Sequence, residues 1–176
     1  MTTKVQVIFY STYGHVYTLA QAIMEGAQEI SGVDASLYQV KETLPPEILD
    51  KMGATEAKKA FANVPIADPH QLADADAIIL GSPTRYGSAA AQMQSFLDAT
   101  GGLWGKGALI GKVGSAFTST ASQHGGQETT LMSMATFFYH HGMVITGVPY
   151  STQELLNMSE MTGGTPYGAT TVAGPK

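Results

Sequence analysis

The chain contains no cysteine. Disulfide staples, thiolate metal centres and cysteine nucleophiles are therefore excluded together. Charge is also scarce: Asp, Glu, Lys and Arg make up 13% of the 176 residues, with 14 acidic against 9 basic side chains and a formal net charge of −5. The few cations are spread along the sequence without a Lys/Arg cluster, so no nucleic-acid partner is expected. Intrinsic disorder needs low hydrophobicity and high charge, and a hydrophobic share of 44% is the opposite. No apolar run approaches the roughly 20 residues of a membrane span. Met1-Thr2-Thr3-Lys4-Val5 lacks the apolar core of a signal peptide. No membrane insertion and a cytoplasmic location are therefore expected. Glycine, by contrast, is abundant at 20 residues. The length suits one domain of common size, burying about two-thirds of the surface its unfolded chain exposes.

Short apolar runs, each followed by Gly/Ser/Thr-rich residues and then by a helical pattern, imply a parallel sheet covered on both faces. Residues 5–10, 35–40, 77–81, 113–118 and 143–148 read as five strands. Apolar positions at three- and four-residue steps from Val16 to Ile30 mark the first helix. Residues 89–99 and 127–141 carry two more. We read residues 1–176 as a single domain in which 41–70 and 151–176 are irregular insertions: Pro45-Pro46, Gly53 and Pro65 break the first, and Thr162-Gly163-Gly164-Thr165-Pro166 is loop chemistry in the second.

In an open parallel sheet, ligands bind outside the carboxyl ends of the strands where strand order reverses. Three unusual loops belong at that edge. Ser11-Thr12-Tyr13-Gly14-His15, ahead of Val16, combines two hydroxyls and a glycine with a helix N-terminus. Orphan amides and the helix dipole favour an anion there, such as a terminal phosphate; an ordinary Ser/Thr helix cap fits the same residues. Ser82-Pro83-Thr84-Arg85-Tyr86-Gly87-Ser88 places an aromatic where it could lie against a planar ring, or is a turn with one exposed side chain. Ser119-Thr120-Ala121-Ser122-Gln123-His124-Gly125-Gly126 can wrap a polar ring edge with backbone donors, or is a flexible connector.

Several other chemistries find no support. No G-x-G-x-x-G follows the first strand, and Gly101-Gly102-Leu103-Trp104-Gly105-Lys106-Gly107 lacks the spacing of a P-loop. No Gly-x-Ser-x-Gly elbow is present. His140-His141 are adjacent helical residues pointing about 100° apart, so no metal site is expected; a histidine there favours the helix dipole.

Ser-Thr-Tyr-Gly-His-Val at 11–16, Pro-Thr-Arg-Tyr-Gly at 83–87, Thr-Gly-Gly-Leu-Trp at 100–104, the 119–128 segment, His140-His141-Gly142-Met143-Val144 and Gly-Gly-Thr-Pro-Tyr-Gly-Ala-Thr-Thr at 163–171 occur in one order over nearly the whole chain. In these motifs the sequence resembles the WrbA family of NAD(P)H:quinone oxidoreductases. The resemblance implies an α/β, flavodoxin-like, doubly wound five-stranded parallel sheet in the order 2-1-3-4-5, with FMN as cofactor and NADH or NADPH as reductant. It also implies a homotetramer, or a homodimer where the last helix is lacking. Carried onto this sequence, the FMN phosphate loop falls on Ser11, Thr12, Tyr13, Gly14, His15 and Val16. Contacts to the flavin ring fall on Thr84, Arg85, Tyr86 and Gly87, and on Ser119, Thr120, Ala121, Ser122, Gln123, His124 and Gly125. His140 matches a catalytic histidine beside the flavin. The substrate pocket takes Tyr13, Tyr86, Trp104, which a neighbouring subunit can supply, and Tyr150. Tyr86 stands where relatives often carry Phe. The family continues past this segment into a final helix, whereas here the sequence stops at Pro175-Lys176.

The function so implied is two-electron reduction of a quinone such as benzoquinone to the hydroquinone, with hydride passing through the flavin in ping-pong fashion. A one-electron carrier like flavodoxin, or an FMN-binding regulatory or scaffold protein, is the alternative.

Overall fold

The computed structural model describes residues 2–173. In chain order it contains β1 (Thr3–Phe9), α1 (His15–Gln28), β2 (Val33–Gln39), α2 (Pro46–Lys51), α3 (Thr55–Lys59), a 3-10 turn (Pro69–Asp74), β3 (Ala77–Arg85), β4 (Ser88–Ala89), α4 (Ala91–Asp98) and α5 (Gly101–Gly105). There follow β5 (Val113–Thr120), α6 (Gln127–His140), β6 (Val144–Ile145), a second 3-10 turn (Gln153–Leu156) and β7 (Ala169–Val172).

The sheet runs β2-β1-β3-β5-β6, and the pairings along that path are parallel. Counted by the five expected strands, this is the order 2-1-3-4-5. β1 shows why its sequence lacks a polar/apolar alternation: Val5 through Phe9, the polar Gln6 included, are all buried, as expected of a strand covered on both faces. Val7 and Phe9 pack with Val16 and Ala20 of α1 and with Phe61 and Phe117. Their neighbours Ile8 and Tyr10 belong to the opposite core, with Met93 and Phe96 of α4 and Leu131, Met134 and Phe138 of α6.

Close approach is needed at one point in the middle. Gly81 pairs in register with Phe117, and a Cβ added to Gly81 would lie 2.0 Å from the Phe117 ring. Glycine at this position lets the ring close the core beneath the strand ends.

Two expectations change. β3 continues through Pro83 to Arg85, and the expected loop is instead a tight hairpin to β4, with Arg85 opposite Ser88. Tyr86 and Gly87 form its tip with φ of 54° and 82°, the paired positive angles of a type I′ turn. The fifth strand is shorter and divided. β6 pairs only with Val113 and Gly114, and the carboxyl half of that edge is supplied by β7, which pairs with Phe117 through Thr120. Residues 146–168 leave the sheet between the two pieces, so part of the expected 151–176 loop is strand. The sequence end at Pro175-Lys176 lies outside the described residues.

Candidate functional site

Parallel pairing brings the carboxyl ends of β1, β3 and β5 to one edge, and the chain's direction across the sheet reverses between β1 and β3. At that edge a cavity of about 210 Å³ is lined by Ser11, Thr12, Tyr13, His15, Val16, Thr84, Arg85, Ser119, Thr120 and Ala121, joined by Pro83 and Ala173. Three loops distant in sequence thus meet in one place.

The first loop turns through Gly14 (φ 94°) into α1. Ser11 and Thr12 are each only 2% exposed. The Gly14 N–H donates to Ser11 Oγ at 3.0 Å, which fixes the turn from within. The opening N–H groups of an α-helix have no carbonyl one turn back to bond, so the start of α1 presents donors and a positive dipole end. Arg85 Nη2 donates to Thr12 Oγ1 at 2.9 Å and Nη1 to the Thr84 carbonyl at 2.8 Å, joining the first loop to the hairpin. Thr84 Oγ1 accepts from the Gly87 N–H at 3.2 Å and from Thr130 Oγ1 of α6 at 2.9 Å. In the third loop, Thr120 Oγ1 donates to the Ser122 carbonyl at 2.8 Å and accepts from Gln127 Nε2 at 3.1 Å. Gln127 Oε1 in turn accepts from Thr170 Oγ1 of β7 at 2.9 Å. The divided fifth strand therefore braces the third loop.

Beneath the first loop lies a polar cluster that sequence reading missed. The Glu42 carboxylate pairs with Lys58 Nζ at 2.7 Å, and accepts from Tyr10 Oη at 3.0 Å, Gln92 Nε2 at 2.8 Å and the Leu44 N–H at 3.0 Å. Burial alone would raise its pKa, but these donors and the Lys58 charge overcome it and hold the carboxyl at about 2. Burial, reinforced by the Glu42 charge, pushes the Tyr10 hydroxyl up to about 12. Nothing in the 41–70 stretch carries a motif or a period. The one available signal was Glu42's place just past the carboxyl end of a strand.

The other expected site residues lie elsewhere. Gly14, Tyr86, Gly87, Ser122 and Gly125 sit in the three loops but outside the cavity lining, and the Tyr86 ring is fully exposed. Gln123 and His124 line a neighbouring cavity of about 450 Å³ with the start of α6 and part of the 157–165 stretch. Trp104 and His140 line a third of about 830 Å³ between α4, α5 and α6, which has Ser88 and Ala89 among its walls and shares no residue with the first. Tyr150 is exposed in the segment between β6 and β7. His141, in the third cavity, is buried and lies 3.1 Å from Thr100 Oγ1. The Thr100 hydroxyl already donates to the Leu97 carbonyl, so His141 donates from Nε2. Burial, then the neighbouring His140, lowers its pKa below the ordinary value. Among the described residues no group of three or more His, Asp or Glu could hold a metal, and no helix is long and apolar enough to cross a membrane.

The donor set of the first cavity is that of an anion site. Two buried hydroxyls, a helix N-terminus and a guanidinium converge, and no carboxylate is among the lining residues. A parallel sheet in this order with such a cradle at its switch point defines a flavodoxin-like nucleotide-binding protein.

Comparison with known proteins narrows the class. Residues 3–154 match the family described as NADPH-dependent FMN reductase. An NAD(P)H dehydrogenase (quinone) from Trichlorobacter lovleyi is 56% identical over 172 residues, which is 98% of this chain and 84% of that protein. Among solved structures, a flavodoxin WrbA-like protein from Agrobacterium tumefaciens superposes with TM-score 0.59 at 28% identity, covering 81% of this chain and 76% of that one. Flavodoxin 1 from Bacillus cereus, at TM-score 0.63 and 16% identity over 99% of this chain and 87% of its own, shares the fold. The chain belongs to the NADPH-dependent FMN reductase family and stands, within it, beside the proteins named NAD(P)H dehydrogenase (quinone).

Proposed function

We propose that the protein is an FMN-dependent oxidoreductase that passes two electrons from NADH or NADPH to a quinone such as benzoquinone. The observation that carries this reading is the anion cradle of Ser11, Thr12 and the start of α1, closed by Arg85 at the sheet's switch point. Membership of a family of flavin reductases and the names of similar relatives support it.

Bound FMN would supply reversible uptake of a hydride from the nicotinamide and its release to an acceptor. In this assignment the hydroxyls of Ser11 and Thr12 and the first amides of α1 would hold the phosphate. Thr84, Arg85 and residues 119–121, their positions fixed by the hydrogen bonds to Thr130, Thr12 and Gln127, would hold the ring. The Tyr86 ring, raised on its two-residue turn, would offer nicotinamide and quinone in turn a flat wall. The residues do positioning work and provide donors where negative charge develops.

His140 and Trp104 enter this site from a second copy of the chain. Within one chain they line a different cavity, and Trp104, Ile110, Met132 and Tyr139 expose large apolar surface of the kind that association covers. There His140 holds or moves a proton at a quinone oxygen. A homotetramer, or a homodimer, of this single-domain chain in the cytoplasm accommodates these roles.

Steady-state assays test the reading. NADPH oxidation should depend on both FMN and benzoquinone and give parallel double-reciprocal lines. Absence of quinone-dependent oxidation by the FMN-loaded protein with either nicotinamide would refute it.

A further inference from the structure

The cluster under the phosphate cradle connects to the loop itself. Lys58 Nζ, besides its ion pair with Glu42, donates to the Ser11 carbonyl at 3.1 Å. It sits 4.9 Å from the centre of the Tyr10 ring and 5.4 Å from that of Phe61, and its side chain is only 17% exposed. Lys58 is not part of the cavity lining, so it grips the loop from behind. The Ser11 carbonyl and the Thr12 N–H belong to one trans peptide unit, in which the two groups point in opposite directions. An ammonium on the carbonyl therefore orients that unit and, by polarising it, strengthens the N–H on the far side as a donor. The same segment has a second hold on the loop, since Tyr13 Oη donates to the Met52 carbonyl at 3.3 Å. Glu42 fixes Lys58 and, through Gln92 at the start of α4, ties the cradle to the element that follows the hairpin.

We propose that Lys58, anchored by Glu42, is a positioning residue that sets the preference of the cradle for a phosphorylated flavin over the same flavin without phosphate. The inference rests on the phosphate placement argued above. It assigns to an irregular segment a task beyond covering the sheet: the cation acts on the ligand's anionic end through one peptide unit, without touching it.

Binding of FMN and of riboflavin, measured by quenching of flavin fluorescence, tests this in four proteins: the parent, Lys58→Met, Lys58→Arg and Lys58→Met/Glu42→Gln. The double variant removes the charge pair together, so no half-buried carboxylate is stranded if the single variant folds poorly. The parent should favour FMN. Both Met variants should lose about tenfold or more in FMN affinity while riboflavin affinity stays within about twofold, and Lys58→Arg should recover most of the loss. Equal weakening of both flavins would reduce Lys58 to a structural support and overturn the proposal, as would an unchanged FMN preference in the folded double variant. A parent that binds riboflavin as tightly as FMN would remove the phosphate placement first and this inference with it.

Discussion

Replacing Gly81 by alanine adds one methyl group at the tightest point of the sheet. The new Cβ would lie 2.0, 2.2 and 2.6 Å from three atoms of the Phe117 ring, where ordinary contact begins near 3.4 Å. Phe117 is fully buried among Val7, Phe9, Val16, Ala20 and Phe61, so the ring has no free volume to enter. Overpacking of this kind costs typically 1–3 kcal/mol, and an overlap of more than 1 Å with a confined ring belongs at the upper end, about 3 kcal/mol. For a chain of this size that corresponds to a fall in Tm of roughly 6–12 °C. Thermal unfolding followed by circular dichroism, with urea titration for the free energy, measures it. Shortening the ring in Gly81→Ala/Phe117→Leu should return part of the loss, giving a coupling of at least about 1 kcal/mol in a double-mutant cycle. Because Val16 belongs to the same core cluster as that ring, Gly81→Ala should also weaken FMN binding. Loss of less than about 0.5 kcal/mol, the range of an inert surface change, or strict additivity in the cycle, would refute the account of this core.

Ser11→Ala removes the oxygen that accepts the Gly14 N–H, and should weaken FMN binding about tenfold and stability by about 1 kcal/mol, read from flavin titration and urea unfolding. Stability should fall on acidification in two stages. His141, whose folded pKa is depressed, contributes fully above its ordinary value of 6.5, and that contribution is lost as pH falls below it; Glu42 contributes fully above 4.5 and loses its share as pH falls from there to about 2. Urea midpoints against pH should show both, with Glu42→Gln abolishing the lower stage and leaving the upper one.

The parts of the fold legible in the sequence are those with one physical cause. β1 and the core of β3 are buried on both faces, so their apolar runs stand out, and α1 and α6 carry the three- and four-residue spacing that packing demands. β7 was not legible: Ala169-Thr170-Thr171-Val172 follows a Gly/Pro-rich stretch and owes its strand conformation to a long-range pairing with β5 and to the Thr170–Gln127 bond. Pro83 and Gly87 signal a loop at 82–88, although Tyr86-Gly87 at the tip of two paired strands satisfies the turn equally well. The meeting of the three loops was readable because parallel topology dictates which loops share an edge. The Glu42–Lys58 pair was not, since the residues that form it and bond it come from the end of β1, α3 and α4 and only the folded chain brings them together. His140 and Trp104 came from the family resemblance, and one chain alone sets them apart from the cradle.

Anaerobic mixing of the FMN-loaded protein with NADPH, and separately with NADH, followed by benzoquinone, tests the central claim most directly. Bleaching of the yellow flavin absorbance by at least one nicotinamide, and its full return on adding one equivalent of quinone, is the predicted result. A flavin that stays oxidised with both nicotinamides, or one that is bleached and then fails to reoxidise with quinone, would contradict it.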